Sequence, residues 1–209
     1  MKIHRFTVGM LSTNCYLIQD KGKCAILDPG GDFGLVRNFI TENQLEPTLV
    51  LATHGHFDHV FSAGDFYREY GLRLNISADD VDTLDGAAGM SYDFTGEKMD
   101  SDFETITFDN GHDFRLGDSI IRAAIYPGHT PGSTIFETGD IMFTGDMVFR
   151  GTIGRVDFGG SMEEMKRSLI KFRKTEGSYV LLPGHGESTT LDREKADNPY
   201  LSDAFLDVH

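Results

Sequence analysis

Leu49-Val50-Leu51-Ala52-Thr53-His54-Gly55-His56-Phe57-Asp58-His59 is the stretch that decides how this chain is read. Its opening apolar run has strand length and reads as a buried strand. Behind it, His54, His56, Asp58 and His59 are potential metal ligands crowded where that strand ends. In an extended strand end, residues two apart point to the same side, so His54 and His56 face one centre. Asp58 and His59 fall at the turn into the next helix and face a second direction. Imidazoles and carboxylates placed where a strand leaves the core each need a partner once buried, which folding alone does not supply. The spacing predicts a metal site, and two ions rather than one.

Three later segments each end a strand-like run and offer further ligands. Ile120 to Tyr126 leads to Pro127-Gly128-His129-Thr130-Pro131-Gly132-Ser133; Ile141 to Thr144 leads to Gly145-Asp146; Tyr179 to Leu182 leads to Pro183-Gly184-His185-Gly186-Glu187. Glycines beside each candidate let the backbone turn sharply toward a crowded centre.

With His54, His56, Asp58, His59, His129, Asp146 and His185 in this order, the chain resembles the metallo-β-lactamase superfamily over nearly its whole length. The resemblance implies that His54, His56 and His129 bind a first metal and Asp58, His59 and His185 a second, with Asp146 bridging both. It also implies an α/β fold, an αββα four-layer sandwich in a single domain, with the site in a cleft along one edge of two sheets.

Imidazole and carboxylate ligands suit zinc, iron or manganese, and the affinity order places zinc ahead of the other two. The expected cofactor is therefore two divalent ions per chain, zinc first. The expected nucleophile is a water shared by the ions as a bridging hydroxide, since one divalent ion brings a water's pKa from 15.7 to about 7. Asp58 and Asp146 are the candidate catalytic carboxylates, Asp58 being placed to orient the nucleophile or pass protons.

Within the superfamily, Thr144 to Phe158 carries G-D-x-x-F and G-R-x-D-F pieces that look like the glyoxalase II-like, or hydroxyacylglutathione hydrolase-like, proteins. Hydrolysis of a thioester is the activity this implies. Persulfide dioxygenases share the second piece, but that resemblance implies one iron on His54, His129 and Asp146 and leaves the other four ligands without metal. Few residues follow His185, so the helical domain that carries much of the glutathione contact in full-length glyoxalase II is not expected. A lactone or other ester stays open as substrate, because the metals activate water whatever the pocket recognises.

Length agrees with one domain over residues 1–209. The amino terminus alternates like a first strand and has no signal-peptide pattern, and no stretch approaches a membrane span, so a cytoplasmic enzyme is expected. A net charge of −14 argues against nucleic-acid partners and for a small-molecule substrate. Arg150, Arg155 and Lys166 follow the Asp146 motif and are candidates for positive charge near the cleft, Arg155 with Asp157 also reading as a loop-fixing pair.

A hairpin turning at Lys21-Gly22 would pair Leu17 with Ile26 and Gln19 with Cys24. Cys15 and Cys24 are then not opposite each other and read as buried thiols, and both faces of the hairpin are apolar. Phe33 to Asn43, with Leu35, Val36, Phe39 and Ile40, and Met162 to Lys174, with Met165, Leu169, Ile170 and Phe172, read as packing helices. Residues 79–109 lose the pattern and read as a lid or surface excursion. Asp28, Thr53, Thr130 and Ser133 are placed either to orient ligands or merely to form turns. His4, His112 and His209 read as ordinary polar positions.

Overall fold

The computed structural model describes residues 1–207, so His209 lies outside the described residues. The first half opens as a meander of β1 (Lys2–Val8), β2 (Thr13–Asp20) and β3 (Lys23–Leu27). It continues through α1 (Phe33–Glu42), β4 (Glu46–Leu51), α2 (Phe57–Val60), α3 (Ala63–Tyr70), β5 (Leu74–Ser77), α4 (Val81–Thr95) and β6 (Thr105–Phe108). These strands form one sheet in the order β1-β2-β3-β4-β5-β6. β3 to β6 pair in parallel, which requires crossovers, and the helices supply them.

The second half holds β7 (Asp113–Leu116), β8 (Ser119–Ile125), β9 (Thr134–Thr138), β10 (Ile141–Gly145), the ribbon β11 (Val148–Phe149) and β12 (Thr152–Ile153), then α5 (Met162–Arg173). β13 (Val180–Pro183), β14 (Thr189–Thr190), α6 (Leu191–Asp197) and α7 (Asp203–Leu206) complete it. Its sheet runs β14-β13-β10-β9-β8-β7, antiparallel except for β10 with β13.

Apolar burial follows this layering. Leu17, Ile26, Val36 and Phe66 pack between the first sheet and its helices; Met142, Leu169, Phe172 and Leu181 do so in the second half. Tyr16, Ile18, Leu27 and Leu51 meet Phe114, Ile121, Phe136 and Phe143 between the sheets. Three apolar boundaries separate four layers, the αββα sandwich expected from the sequence.

The β2–β3 register pairs Leu17 with Ile26 and Gln19 with Cys24, as the turn at Lys21-Gly22 implied. Both turn residues have positive φ, the conformation that suits a two-residue hairpin. Cys15 and Cys24 are free and buried, and burial pushes both thiols up, Cys24 to about 12.

Two expectations need correction. Leu35 is half exposed on α1, while Val36 and Ile40 are buried, so the apolar stripe is narrower than read. Residues 79–109 are not an irregular excursion: they hold the whole of α4 and the edge strand β6. Only Leu84, Ala87 and Ser91 of α4 are buried, so the helix writes no apolar stripe. Among the described residues, no helix is long and apolar enough to cross a membrane.

Candidate metal centre

β4 delivers Thr53 to the point where the sheets meet, and the Thr53 carbonyl accepts from Thr134 N–H of β9 at 2.8 Å. His54 and His56 follow in the loop, and Asp58 and His59 lie on the short α2, all buried. From the second sheet come His129 after β8, Asp146 after β10 and His185 after β13. Two glycines make these approaches feasible. A Cβ at Gly184 would stand 2.2 Å from Asp146 Oδ1, and one at Gly128 would stand 2.5 Å from Met165 Cα.

All seven candidate ligands converge. His54, His56 and His129 form one group, Asp58, His59 and His185 another, and Asp146 groups with His54 and His59; the donor atoms within each set lie within 4.8 Å of one another. Asp146 stands between the sides, Oδ1 3.3 Å from His59 Nε2 and Oδ2 3.6 Å from both His129 Nε2 and His185 Nε2.

On the first side, hydrogen bonding sets the tautomers. His129 Nδ1 donates to the Arg155 carbonyl at 2.6 Å and His56 Nε2 to the Phe158 carbonyl at 3.0 Å. Thr53 Oγ1 spends its proton on Asp28 Oδ2 at 2.8 Å, so it accepts from His54 Nδ1 at 3.1 Å. The remaining lone pairs then face one another: His56 Nδ1 lies 2.9 Å and His54 Nε2 3.2 Å from His129 Nε2. Burial holds His54 and His56 below the usual imidazole range, so both are neutral at pH 7. Three converging lone pairs repel unless a cation lies among them, and the donor set fits a divalent ion of the zinc, iron or manganese class.

The second side is built on charge. His185 Nε2 lies 3.2 Å and His59 Nε2 3.6 Å from Asp58 Oδ2. Burial alone would lower His59, but Asp146, Asp58 and Asp28 outweigh it and raise it well above the usual range. His185 is likewise raised against its own burial, by Asp58 and Asp146. Burial pushes the Asp58 and Asp146 carboxyls up, yet the surrounding imidazoles hold both low. Asp146 Oδ1 is buried with no hydrogen-bond partner, an orphan that a cation would satisfy.

Around the donors, Asp28 accepts from Thr53 N–H at 2.7 Å and lies 3.0 Å from His59 Nδ1, so its carboxylate reaches candidate ligands on both sides. Thr13 Oγ1 donates to Asp58 Oδ2 at 3.0 Å. Thr130 and Ser133 hydrogen-bond each other and serve the turn. Arg155 pairs with Asp157 and Arg150 with Glu187. Lys166 is a correction: it pairs with Asp207 and packs over Phe205, on the outer layer.

Sequence reading missed three anchors. Asp80, fully buried, accepts from Gly55 N–H at 2.5 Å and Gly132 N–H at 2.9 Å, tying the His54 loop to the His129 loop. Asn14 Nδ2 donates to the Pro183 and Gly186 carbonyls, and Tyr16 OH to Pro183, so β2 grips the His185 loop. No local spacing marks these residues, because their partners are remote in sequence.

A cleft of about 380 Å³ opens on His56, Asp58, His129, Asp146 and His185. A larger cavity of about 440 Å³, on the other side of Phe57, touches only Asp58 of the donors.

The profile of the Metallo-beta-lactamase superfamily matches residues 8–185. An uncharacterized protein of Mycobacterium leprae is 37% identical, over 96% of this chain and 99% of its own length. Hydroxyacylglutathione hydrolase GloC of Haemophilus influenzae is 32% identical, over 97% of this chain and 99% of its own. The crystal structure of TTHA1623 in a di-iron-bound form superposes with a TM-score of 0.86 at 28% identity, over 94% and 99% of the two chains. A profile spanning every donor from His54 to His185, on a shared fold, shows that the chain belongs to the metallo-β-lactamase superfamily.

Proposed function

We propose that this protein is a dinuclear metal-dependent hydrolase of the glyoxalase II-like group that cleaves thioesters. The observation that carries the reading is the seven-donor cluster, five of whose members line the cleft, split into two sides that share Asp146. His54, His56 and His129 would hold one ion, Asp58, His59 and His185 the other, with zinc preferred over iron or manganese. When bound, such ions supply Lewis acidity and a water acidic enough to attack at neutral pH.

The chain's own residues do the rest. The Arg155 and Phe158 carbonyls fix the tautomers of His129 and His56, so their donor nitrogens face the cleft. Asp58 is held ionised, and its Oδ2, which accepts from Thr13, is placed to orient the nucleophile or take its proton. A thioester suits this arrangement because a thiol of pKa about 8.5 departs as thiolate without a proton donor, unlike an amine. The name of the Haemophilus relative points the same way. A mononuclear iron dioxygenase on His54, His129 and Asp146 would not account for the convergence of Asp58, His59 and His185. We place the enzyme in the cytoplasm, acting as one domain on a small molecule.

The test is hydrolysis of S-lactoylglutathione by protein loaded separately with zinc, iron and manganese, with metal content measured on the same samples. Metal-dependent turnover is expected. No turnover at two ions per chain would sink the hydroxyacylglutathione reading and move the search to other thioesters, lactones and other esters. One iron per chain with oxygen uptake on glutathione persulfide would replace it with the dioxygenase.

A further inference from the structure

The walls of the cleft are unlike its floor. Above the donors stand Leu11, Met90, Phe94, Phe149, Ile153 and Phe158, contributed by the β1–β2 loop, α4 and the segment after Asp146. Phe94 is 54% and Leu11 45% exposed, so two large apolar side chains face water at the mouth of one cavity. Grouped exposure of this kind marks a ligand groove. The wall is also ordered. Phe94 meets Phe158 edge-on with ring centroids 5.5 Å apart, Phe57 lies 5.9 Å from Phe94, and the Phe158 carbonyl holds His56.

Charge at the mouth is spent. Arg155, the cation among the cleft-lining residues, pairs with Asp157 and stacks its guanidinium 4.8 Å from the Phe158 ring centre. Arg150, nearby in sequence, pairs with Glu187, and the chain carries −14 overall. A substrate recognised through carboxylates would need a cation free to meet them. Biological thiols such as glutathione and pantetheine are polar and amide-bearing, so an apolar wall matches the acyl side of a thioester.

We propose that the cleft selects thioesters whose acyl group is an uncharged apolar chain, held against Phe94, Phe158, Met90 and Leu11 while the carbonyl meets the donor cluster. This rests on the thioester hydrolase reading and narrows its substrate class. In the reaction water's oxygen bonds to the acyl carbon, the C–S bond breaks with its electron pair leaving on sulfur, and water's protons are shared between carboxylate, thiolate and solvent; nothing is oxidised or reduced. A cleft of about 380 Å³ is at the small end of ligand pockets, which sets a ceiling on chain length.

The experiment uses N-acetylcysteamine thioesters from acetyl to decanoyl with the metal-loaded protein, so that the leaving group is constant and uncharged. Full burial of a methylene is worth about fourfold, so kcat/KM is expected to climb two- to fourfold per methylene and then level off as the cleft fills. Phe94→Ala and Leu11→Ala, at exposed positions, are expected to shrink the octanoyl-to-acetyl ratio at least about tenfold. Calorimetry of two non-hydrolysable thioethers, S-octyl- and S-ethyl-N-acetylcysteamine, gives a readout without turnover; the octyl form is expected to bind at least about tenfold tighter. Hydrolysis indifferent to chain length, or equal binding of both thioethers, overturns the proposal and leaves the hydrolase reading intact. No hydrolysis of any thioester, with the octyl thioether still preferred, sinks the hydrolase reading and keeps the apolar subsite.

Discussion

On one side of Asp146 the chain gathers three imidazoles, each with one nitrogen tied to an acceptor and the other turned inward. On the other it gathers two imidazoles raised in pKa against a low-pKa carboxylate, so that charges within the protein already compensate one another. The first side has no internal means of relieving its lone-pair repulsion. The second does, through ion pairs. His185, moreover, keeps 27% of its side chain exposed, whereas the imidazole donors of the first side are buried. On the proposed dinuclear reading the two sides are therefore unequal: the three-imidazole side should bind first and hold more tightly.

The largest expected effect comes from removing what the sides share. Asp146→Ala should lower metal content and cut thioester hydrolysis by more than about a hundredfold, since even outer partners of metal ligands cost up to that much. Unchanged turnover would break the bridging assignment. Next, His185→Ala and His56→Ala separate the sides. Metal analysis should find about one ion per chain in His185→Ala, with the three-imidazole side retained, whereas His56→Ala should weaken the tighter site; a His185→Ala protein stripped of all metal would contradict the inequality.

Asp28→Asn reaches both sides at once, through Thr53 to His54 and directly to His59. Metal affinity should fall about 10- to 100-fold, as read by competition with a chelator.

Smaller still is Asp20→Asn, which guards against mistaking general destabilisation for a site effect. Asp20 accepts from the backbone N–H groups of Asp118 and Ser119 and from the Ser119 hydroxyl. The Asp118 contact above all holds its carboxyl below the ordinary 3.8. A carboxyl depressed by folding stabilises fully above that ordinary value and loses the contribution as pH falls through the lower folded one. The melting-temperature gap between wild type and Asp20→Asn should therefore be widest near neutrality and close at pH values below 3.8, with metal content unaltered. His112→Ala, at an exposed ring, should change stability by less than about 0.5 kcal/mol and leave metal content alone; metal lost there would overturn the ligand set.

Much of this was legible from local pattern. His54 to His59 announce two directions of ligation because strand and helix periodicity converts spacing into orientation. His129, Asp146 and His185 are legible because each ends an apolar run beside glycine. The hairpin register followed from Lys21-Gly22 and placed both cysteines. What escaped depends on partners distant in sequence. Asp80 matters only because Gly55 and Gly132 come to it. α4 is held by Leu84, Ala87 and Ser91, too few and too mixed to write an apolar stripe. Lys166 follows Asp146 in sequence, yet α5 carries it to the outer layer. Leu35 belongs to an apolar helix but falls on its solvent side.

On the proposed reading, one cluster of seven donors forms two cation sites of unequal strength. Calorimetric titration of the metal-stripped protein with zinc tests it most directly. Two ions per chain should bind in two resolved steps, and His185→Ala should abolish the weaker one. A single step saturating at one ion, or loss of the tighter step in His185→Ala, would contradict the account.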